Sequence, residues 1–380
     1  DEAYNFLVMA YLNTRNYRMA MESLEKIKVR DKFIDKAYQR VSFFRGMEFY
    51  TNLRFTDAII TFDKSLQFGM FDPLIRARTL YWLAESYFRL NDIPSASEFY
   101  RLFHADSYAP QTPEYKMLNY SLGYLSFTGK DYPEAEKWFS AYIHLEPDKS
   151  AVTFADAYNR LGDCRFIETS YWQAIEHYDK VISLGKADVP YAMFQKGFSL
   201  GLVDRPQRKI EVMSQLLQMH PSSSYTDDAL FELGRTWVLT NNPPEALVNY
   251  RKLINDFPNS GYVSRTLVQL GLIHRNAGEN DTALDYYKKV VEEYPGTTEA
   301  ANALRTIREI YVDINRVDDY LTYVEKVGQG ITISEQDSLM YSAAENLYLS
   351  GDCDKSVSGL DNYIARFPSG GFLLNAHYNR

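Results

Sequence analysis

Six histidines, two cysteines and adjacent carboxylates such as Asp318-Asp319 and Glu292-Glu293 are the residues of this chain whose types could do chemistry. Cys164 and His177 could share a metal ion, but the spacing predicts that they sit on two different helices with no further ligand beside them. The other histidines, His104, His144, His220, His274 and His377, scatter along the chain without metal-ligand spacing. His274 occupies a position that reads as a packed core histidine. Asp318-Asp319 and Glu292-Glu293 could serve acid–base chemistry only if both carboxylates faced one point. Neighbouring helical residues diverge by about 100°, so both pairs read as solvated surface. No phosphate-binding Gly-rich loop, dinucleotide turn, His-Glu-x-x-His or Gly-x-Ser-x-Gly motif occurs. The expectation is therefore no catalytic residue, no metal and no cofactor: the chain reads as a non-enzyme.

Composition narrows the function classes. The chain has 380 residues, 41 Lys plus Arg against 50 Asp plus Glu, and a net charge of −9. No stretch is strongly basic, which argues against the counterion-releasing stripe of a nucleic-acid binder. No apolar run reaches the ~18 residues that span a bilayer. Aromatics at 15% supply a large core, so disorder is excluded, and two cysteines rule out a disulfide scaffold.

The elements that position these residues repeat. A small residue recurs at Gly46, Ala84, Gly123, Gly162, Gly197, Gly234 and Gly271, at intervals of 35–39 residues, and again at Ala344. Val8 fits one interval earlier, and a degenerate copy centres on Arg308. A second small residue follows twelve positions later: Ala20, Ala58, Ala96, Ala135, Ala174, Ala246 and Ala283. Turn-forming Asn, Gly and Asp lie between the two sites, and many units close on a proline such as Pro147, Pro221, Pro258, Pro295 or Pro368. In the seventh unit Leu230, Leu233, Gly234 and Trp237 share one helical stripe. Each unit thus reads as helix, turn, helix, stop. The small residues let the two helices approach, and Phe62, Tyr100, Phe139, Tyr178, Tyr250 and Tyr287 fill the space beside that contact. One such hairpin cannot bury its own apolar face, whereas stacked hairpins share a continuous core.

These residues resemble the tetratricopeptide repeat (TPR), whose Gly-x-x-aromatic, Ala-x-x-x-aromatic and closing proline are matched best in repeats 4, 5, 7 and 8. The resemblance covers nearly the whole chain. It implies an all-α, right-handed superhelical solenoid of about ten helix–turn–helix repeats. Repeat 6 departs from the pattern with Lys209 at its second small site. Repeat 9 departs at both, with Arg308 and Tyr320, so looser or altered packing is expected there. The expected organisation is a solenoid over 1–325, with the ninth repeat degenerate, a linker at 326–338, a tenth repeat at 339–372 and the start of a truncated eleventh at 373–380. A second long linker runs from Phe103 to Pro113.

The segments beginning at His220, Phe257, Tyr294 and Phe367 share an aromatic-Pro-x-small theme. They resemble linkers of the TolA-binding protein and of the TPR lipoprotein of the β-barrel assembly machinery. Asn315–Tyr320 and Ser334–Asp352 resemble long envelope TPR proteins of the Bacteroidetes type. These likenesses imply a periplasmic or outer-membrane-associated protein with protein or peptide partners, and a lipid anchor, if any, outside this fragment.

The family binds its ligands mostly along the groove lined by first helices. The resemblance places that stripe three residues before the small site, then one and four after it. Phe43, Met47 and Tyr50 occupy it in repeat 2, Tyr81 and Phe88 in repeat 3, Tyr120, Tyr124 and Phe127 in repeat 4, and Phe194 and Phe198 in repeat 6. The Lys and Asn of the family's carboxylate clamp are absent from these places. Two readings are open: these aromatics either pack against neighbouring first helices or form a groove for an extended peptide or partner helix. The functional expectation is a non-catalytic protein-binding scaffold of a bacterial envelope. The alternative is a helical accessory or sensor region of a larger enzyme or regulatory protein, whose catalytic or DNA-binding part lies elsewhere.

Overall fold

The computed structural model describes residues 2–380. Twenty-one α-helices and two short 3-10 helices account for its regular structure, with no strand among the described residues. Repeat 1 is α1 (Glu2–Asn13) and α2 (Tyr17–Leu24); repeat 2 is α3 (Lys32–Thr51) and α4 (Phe55–Gln67). Repeat 3 is α5 (Pro73–Arg89) and α6 (Ile93–Ala105); repeat 4 is α7 (Leu118–Thr128) and α8 (Tyr132–Leu145). Repeat 5 is α9 (Val152–Ile167) and α10 (Tyr171–Leu184); repeat 6 is α11 (Val189–Leu202) and α12 (Pro206–Met219). Repeat 7 is α13 (Thr226–Leu239) and α14 (Pro243–Asp256); repeat 8 is α15 (Val263–Asn276) and α16 (Asn280–Glu293). Repeat 9 is α17 (Thr298–Asp313) and α18 (Val317–Lys326); repeat 10 is α19 (Ile333–Leu349) and α20 (Cys353–Arg366). α21 (Leu373–Asn379) follows. The chain divides into two compact units, 1–208 and 209–380, with the boundary inside α12.

Local chemistry starts and stops these helices. Asp72, Asp92, Asp131, Asp188 and Asp352 each accept a backbone N–H three residues on, which satisfies one of the orphan donors of the first turn. The turn inside each repeat has one backbone form. The residue seven places after the small site has positive φ in all ten repeats: Arg15, Leu53, Asn91, Lys130, Thr169, Asp204, Asn241, Gly278, Asn315 and Gly351. The next N–H then reaches back five residues, as from Asp92 to the Tyr87 carbonyl (3.0 Å) and from Asn242 to the Trp237 carbonyl (2.8 Å). This is the left-handed stop that caps the last carbonyls of a helix. It persists in repeat 9, where the side-chain signature is lost.

Packing follows the size pattern. Every alanine at the second small site, from Ala20 to Ala283, is completely buried. The first small site has a more specific partner than its own neighbouring helix backbone. A Cβ added at Gly46, Gly123, Gly162, Gly234 or Gly271 would stand 2.3–2.8 Å from the ring of Phe62, Phe139, Tyr178, Tyr250 or Tyr287. The aromatic sixteen residues later therefore lies flat against the glycine, rather than beside an alanine contact. Where the first site carries a methyl or more, the partner shrinks: Val8 with Leu24, Ala344 with Leu360 and Arg308 with Val324. Ala84 with Tyr100 is the exception.

Within each unit the second helix of one repeat packs on the first helix of the next, as α4 on α5, α8 on α9 and α16 on α17. First helices also meet directly, α1 with α3, α3 with α5 and α7 with α9. The long segment after α6 folds into the 3-10 helices Ala109–Gln111 and Pro113–Met117. Glu114 there is buried and accepts from Arg78 Nε (2.8 Å) and Trp82 Nε1 (3.0 Å) of α5. In the segment before α19, Val327 and Ile331 lie against the core of 209–380, and Thr332 with Glu335 forms a capping box.

Candidate functional site

The first-helix stripe of repeats 2 to 6 lies within the 1–208 unit, and its residues divide by depth. Phe43 and Tyr81 are corrections to the groove expectation. Phe43 is fully buried against Phe44 and Phe62, and Tyr81 is 5% exposed and hydrogen-bonded to Ser121 (3.0 Å). In repeats 2 and 3 the position three residues before the small site faces inward, so these two rings hold the repeat together. Met47, Tyr50, Phe88, Tyr120, Tyr124, Phe127, Phe194 and Phe198 are half-buried. Phe194 and Phe198 stack on each other at 6.2 Å.

In 209–380 the same inward position carries a packing role. Phe231 stacks on Tyr262 (4.7 Å, 27°) and Tyr341 on Phe372 (4.7 Å, 7°). Tyr262 and Phe372 are the second aromatics of the aromatic-Pro linkers. In these two seams the linker thus locks one repeat to the start of the next, and Tyr262 adds a hydrogen bond to Asp228 (2.7 Å).

Around the half-buried rings, carboxylates gather phenolic hydroxyls from neighbouring repeats. Glu85 accepts from Tyr100 (2.6 Å) and Ser121 (2.7 Å), and Tyr50 points at its other oxygen (3.4 Å). Asp156 accepts from Tyr120 (2.8 Å) and from Tyr124. Asp163 accepts from Tyr178 (2.8 Å) and Tyr191 (2.6 Å). Burial, and then the adjacent carboxylate, pushes the Tyr120, Tyr124 and Tyr178 phenols well above their ordinary range. These hydroxyls stay protonated donors with their hydrogens committed inside the chain. What they offer a ligand is ring face and edge.

Repeat 5 supplies the polar centre. Arg160 of α9 pairs with Asp163 (2.7 Å), lies 3.9 Å from Asp156, and stands over the rings of Tyr191 (5.3 Å) and Phe127 (5.7 Å). Its Nε finds no hydrogen-bond partner among the described residues, nor does either side-chain amide atom of fully buried Asn159. Buried polar groups are nearly always paired, so this concentration of unmet capacity marks the spot. Burial raises the Asp163 carboxyl above the ordinary range, against the opposing pull of Arg160. The sequence reading passes over Asn159, Arg160 and Asp163 because it follows aromatics. The available signal is alignment: Asn159 and Asp163 occupy the stripe positions of repeat 5.

The chemistry-bearing residues of the sequence do not converge. Cys164 is buried, and burial pushes its thiol up to about 12. His177 faces the Tyr158 ring at 6.0 Å. His274 is 7% exposed, stacks on Tyr286 and contacts Glu279 through Nδ1 (2.5 Å), the arrangement of a packed histidine. Among the described residues no group of three or more His, Cys, Asp or Glu side chains is placed to hold a metal ion. No helix there is long and apolar enough to cross a membrane.

Comparisons with known proteins agree with the architecture. Three family models, each described as tetratricopeptide repeat, match residues 1–28, 83–150, and 228–260 with 265–297. No curated protein matches. Among solved structures, the C-terminal part of a TPR repeat-containing protein from Cytophaga hutchinsonii is similar, with a TM-score of 0.58 and 14% identity, covering 69% of this chain and 99% of its own. PilF of Pseudomonas aeruginosa aligns at a TM-score of 0.43 and 15% identity over 60% of this chain and 95% of its own. YrrB, titled a TPR protein with an unusual peptide-binding site, aligns at 0.42 and 16% identity over 52% and 95%. With its eight glycine- or alanine-centred helix pairs, its buried second-site alanines and the family-model matches, the chain carries tetratricopeptide repeats.

Proposed function

We propose that this chain is a non-catalytic protein-binding scaffold that holds an extended segment of a partner along the first helices of repeats 4 to 6. One observation carries the reading: Tyr120, Tyr124 and Phe127 present half-buried rings, with the half-buried Arg160 guanidinium standing over the Phe127 ring. Aromatic rings give contact area at little rotamer cost. The exposed edge of the Arg160 guanidinium can donate to a carbonyl of an extended main chain. Met47, Tyr50, Phe88, Phe194 and Phe198 extend the apolar surface to either side. We place the protein in a bacterial envelope, periplasmic or attached to the outer membrane, on the strength of its aromatic-Pro linkers. Neither a nucleic-acid partner nor a cofactor belongs to this reading.

A random peptide library displayed on phage, selected against the chain, tests it. Selected peptides should lose at least tenfold in affinity on Phe127→Ala and on Arg160→Gln. Thermal unfolding of each variant, recorded alongside, separates lost contacts from lost fold. Peptides that bind both folded variants as tightly as the parent would refute this groove as the binding surface.

A further inference from the structure

The degenerate ninth repeat is where the shared packing rule is broken, and the break leaves a cavity. Arg308 replaces the first small residue and Tyr320 the second. α17 and α18 consequently pack more loosely than the helix pairs of repeats 7, 8 and 10, as the departure in sequence predicts. Between them, closed on the third side by the segment before α19, lies a cavity of about 370 Å³. Leu304, Val324 and Ile331 give it an apolar wall, and Arg308, Ser338 and Ser342 a polar one. The volume is in the range of pockets that take small organic ligands.

Arg308 is the informative residue. Arg275, Arg316 and Arg366 of the same unit each hold a carboxylate. Arg308 makes no ion pair or hydrogen bond with any described residue. The carboxylate in the lining, Glu335, makes no direct ion pair with Arg308 and is engaged by the Thr332 N–H and hydroxyl at 2.8 Å each; these bonds, and to a lesser degree the charge of Arg308, hold its carboxyl below the ordinary range. A residue that costs the repeat its close helix contact, and is left unpaired on a half-apolar wall, has the chemistry of an anion anchor. A planar guanidinium matches a carboxylate through two parallel hydrogen bonds. The standing negative charge of Glu335 opposes a second anionic group, so dicarboxylates and phosphates fit less well.

We propose that this cavity binds a monocarboxylate with an apolar body, the carboxylate on Arg308 and the body against Leu304, Val324 and Ile331. The same chemistry is offered by a free organic acid and by the C-terminal residue of a polypeptide, and the test has an arm for each. The probes are 3-phenylpropionate, its neutral amide, succinate, and the peptide acetyl-Ala-Ala-Phe with a free carboxyl end. Binding is read by methyl chemical shifts of Leu304 and Ile331 and by calorimetry on the whole chain. 3-Phenylpropionate or the peptide should bind, with the amide and succinate about tenfold weaker or more, and Arg308→Gln should remove that preference. Arg308 is exposed and unpaired, so the variant should melt with the parent, and Arg308→Lys should restore part of the affinity. Tighter binding of the peptide assigns a chain terminus, and tighter binding of phenylpropionate assigns a free acid. Failure of both to bind at 10 mM, or binding unaltered by Arg308→Gln, overturns the proposal.

Discussion

Replacing Gly234 by alanine adds one methyl group, and the structure says where it goes. The new Cβ would stand 2.3 Å from Cε1 and 2.6 Å from Cδ1 of Tyr250, a fully buried ring. Ordinary contact begins at 3.4 Å, so the ring must retreat by roughly 1 Å in an interior packed as densely as an organic crystal. Overpacking of this kind costs about 1–3 kcal/mol. Against it stands the better helix propensity of alanine, about 1 kcal/mol. A displacement of about 1 Å belongs in the upper half of that range, about 2–3 kcal/mol, so the net expectation is a loss of about 1–2 kcal/mol. Gly261→Ala is the control, because nothing lies within 4 Å of its added Cβ, and it should be near neutral. Tyr250→Leu by itself sacrifices ring burial, but in the double variant it removes the clash. The cycle should therefore show favourable coupling of about 1 kcal/mol or more. Val8 with Leu24 and Ala344 with Leu360 already use this smaller pairing. Urea unfolding measures the energies, and hydrogen exchange shows whether damage stays in repeats 6 to 8, as nearest-neighbour coupling requires. A Gly234→Ala protein as stable as the parent, or additive single and double variants, would refute the reasoning.

Further outcomes follow from other sites. Asp163 has its carboxyl raised by burial, so between the unfolded and folded pKa values the folded state holds more protons. Stability should fall as pH rises through that window and recover on acidification toward the ordinary aspartate range; Asp163→Asn should flatten this segment of a urea-midpoint profile. Cys164 should resist a thiol reagent at pH 8 in the folded protein while exposed Cys353 reacts, so titration should count one thiol folded and two unfolded. Lys209→Ala should cost on the order of 2 kcal/mol in chemical unfolding, because it strands Glu232, 2.5 Å away and as deeply buried. The loss should stop short of a fully unpaired charge because Arg235 keeps its 2.8 Å contact with Glu232. Thr169 is an exposed β-branched residue at φ +61°; Thr169→Gly should raise the unfolding midpoint, gaining about 0.5–1 kcal/mol.

The fold was legible because its signals are periodic. Small residues at fixed spacing and turn residues between them are backbone requirements, and ten copies average out the local exceptions. The depth of individual groove residues was not legible. Phe43 and Tyr120 hold equivalent positions in their repeats, yet one is sealed and the other half-buried. The difference depends on what the next repeat sets against each ring, and spacing along one helix carries no such information. The polar centre at Asn159 and Arg160 was missed for a related reason. A polar residue on a groove stripe looks solvated in sequence, and only the helices packed around α9 make Asn159 buried and unmatched. At Arg308 the sequence announced the anomaly, whereas the cavity beside it required three elements to be placed together.

The left-handed turn residue stands seven positions after the small site in every repeat, whatever its side chain. Spacing between repeats, by contrast, drifts over 35–39 residues. The ten repeats of this chain therefore differ in length outside the segment that joins the two small sites, and not within it. The hairpin is thus the self-consistent module, and breakpoints placed in the aromatic-Pro seams should keep a chimaera foldable. Grafts exchanged there would carry their own glycine–aromatic lock with them. A cut through the turn would separate the lock's two halves and mismatch their sizes.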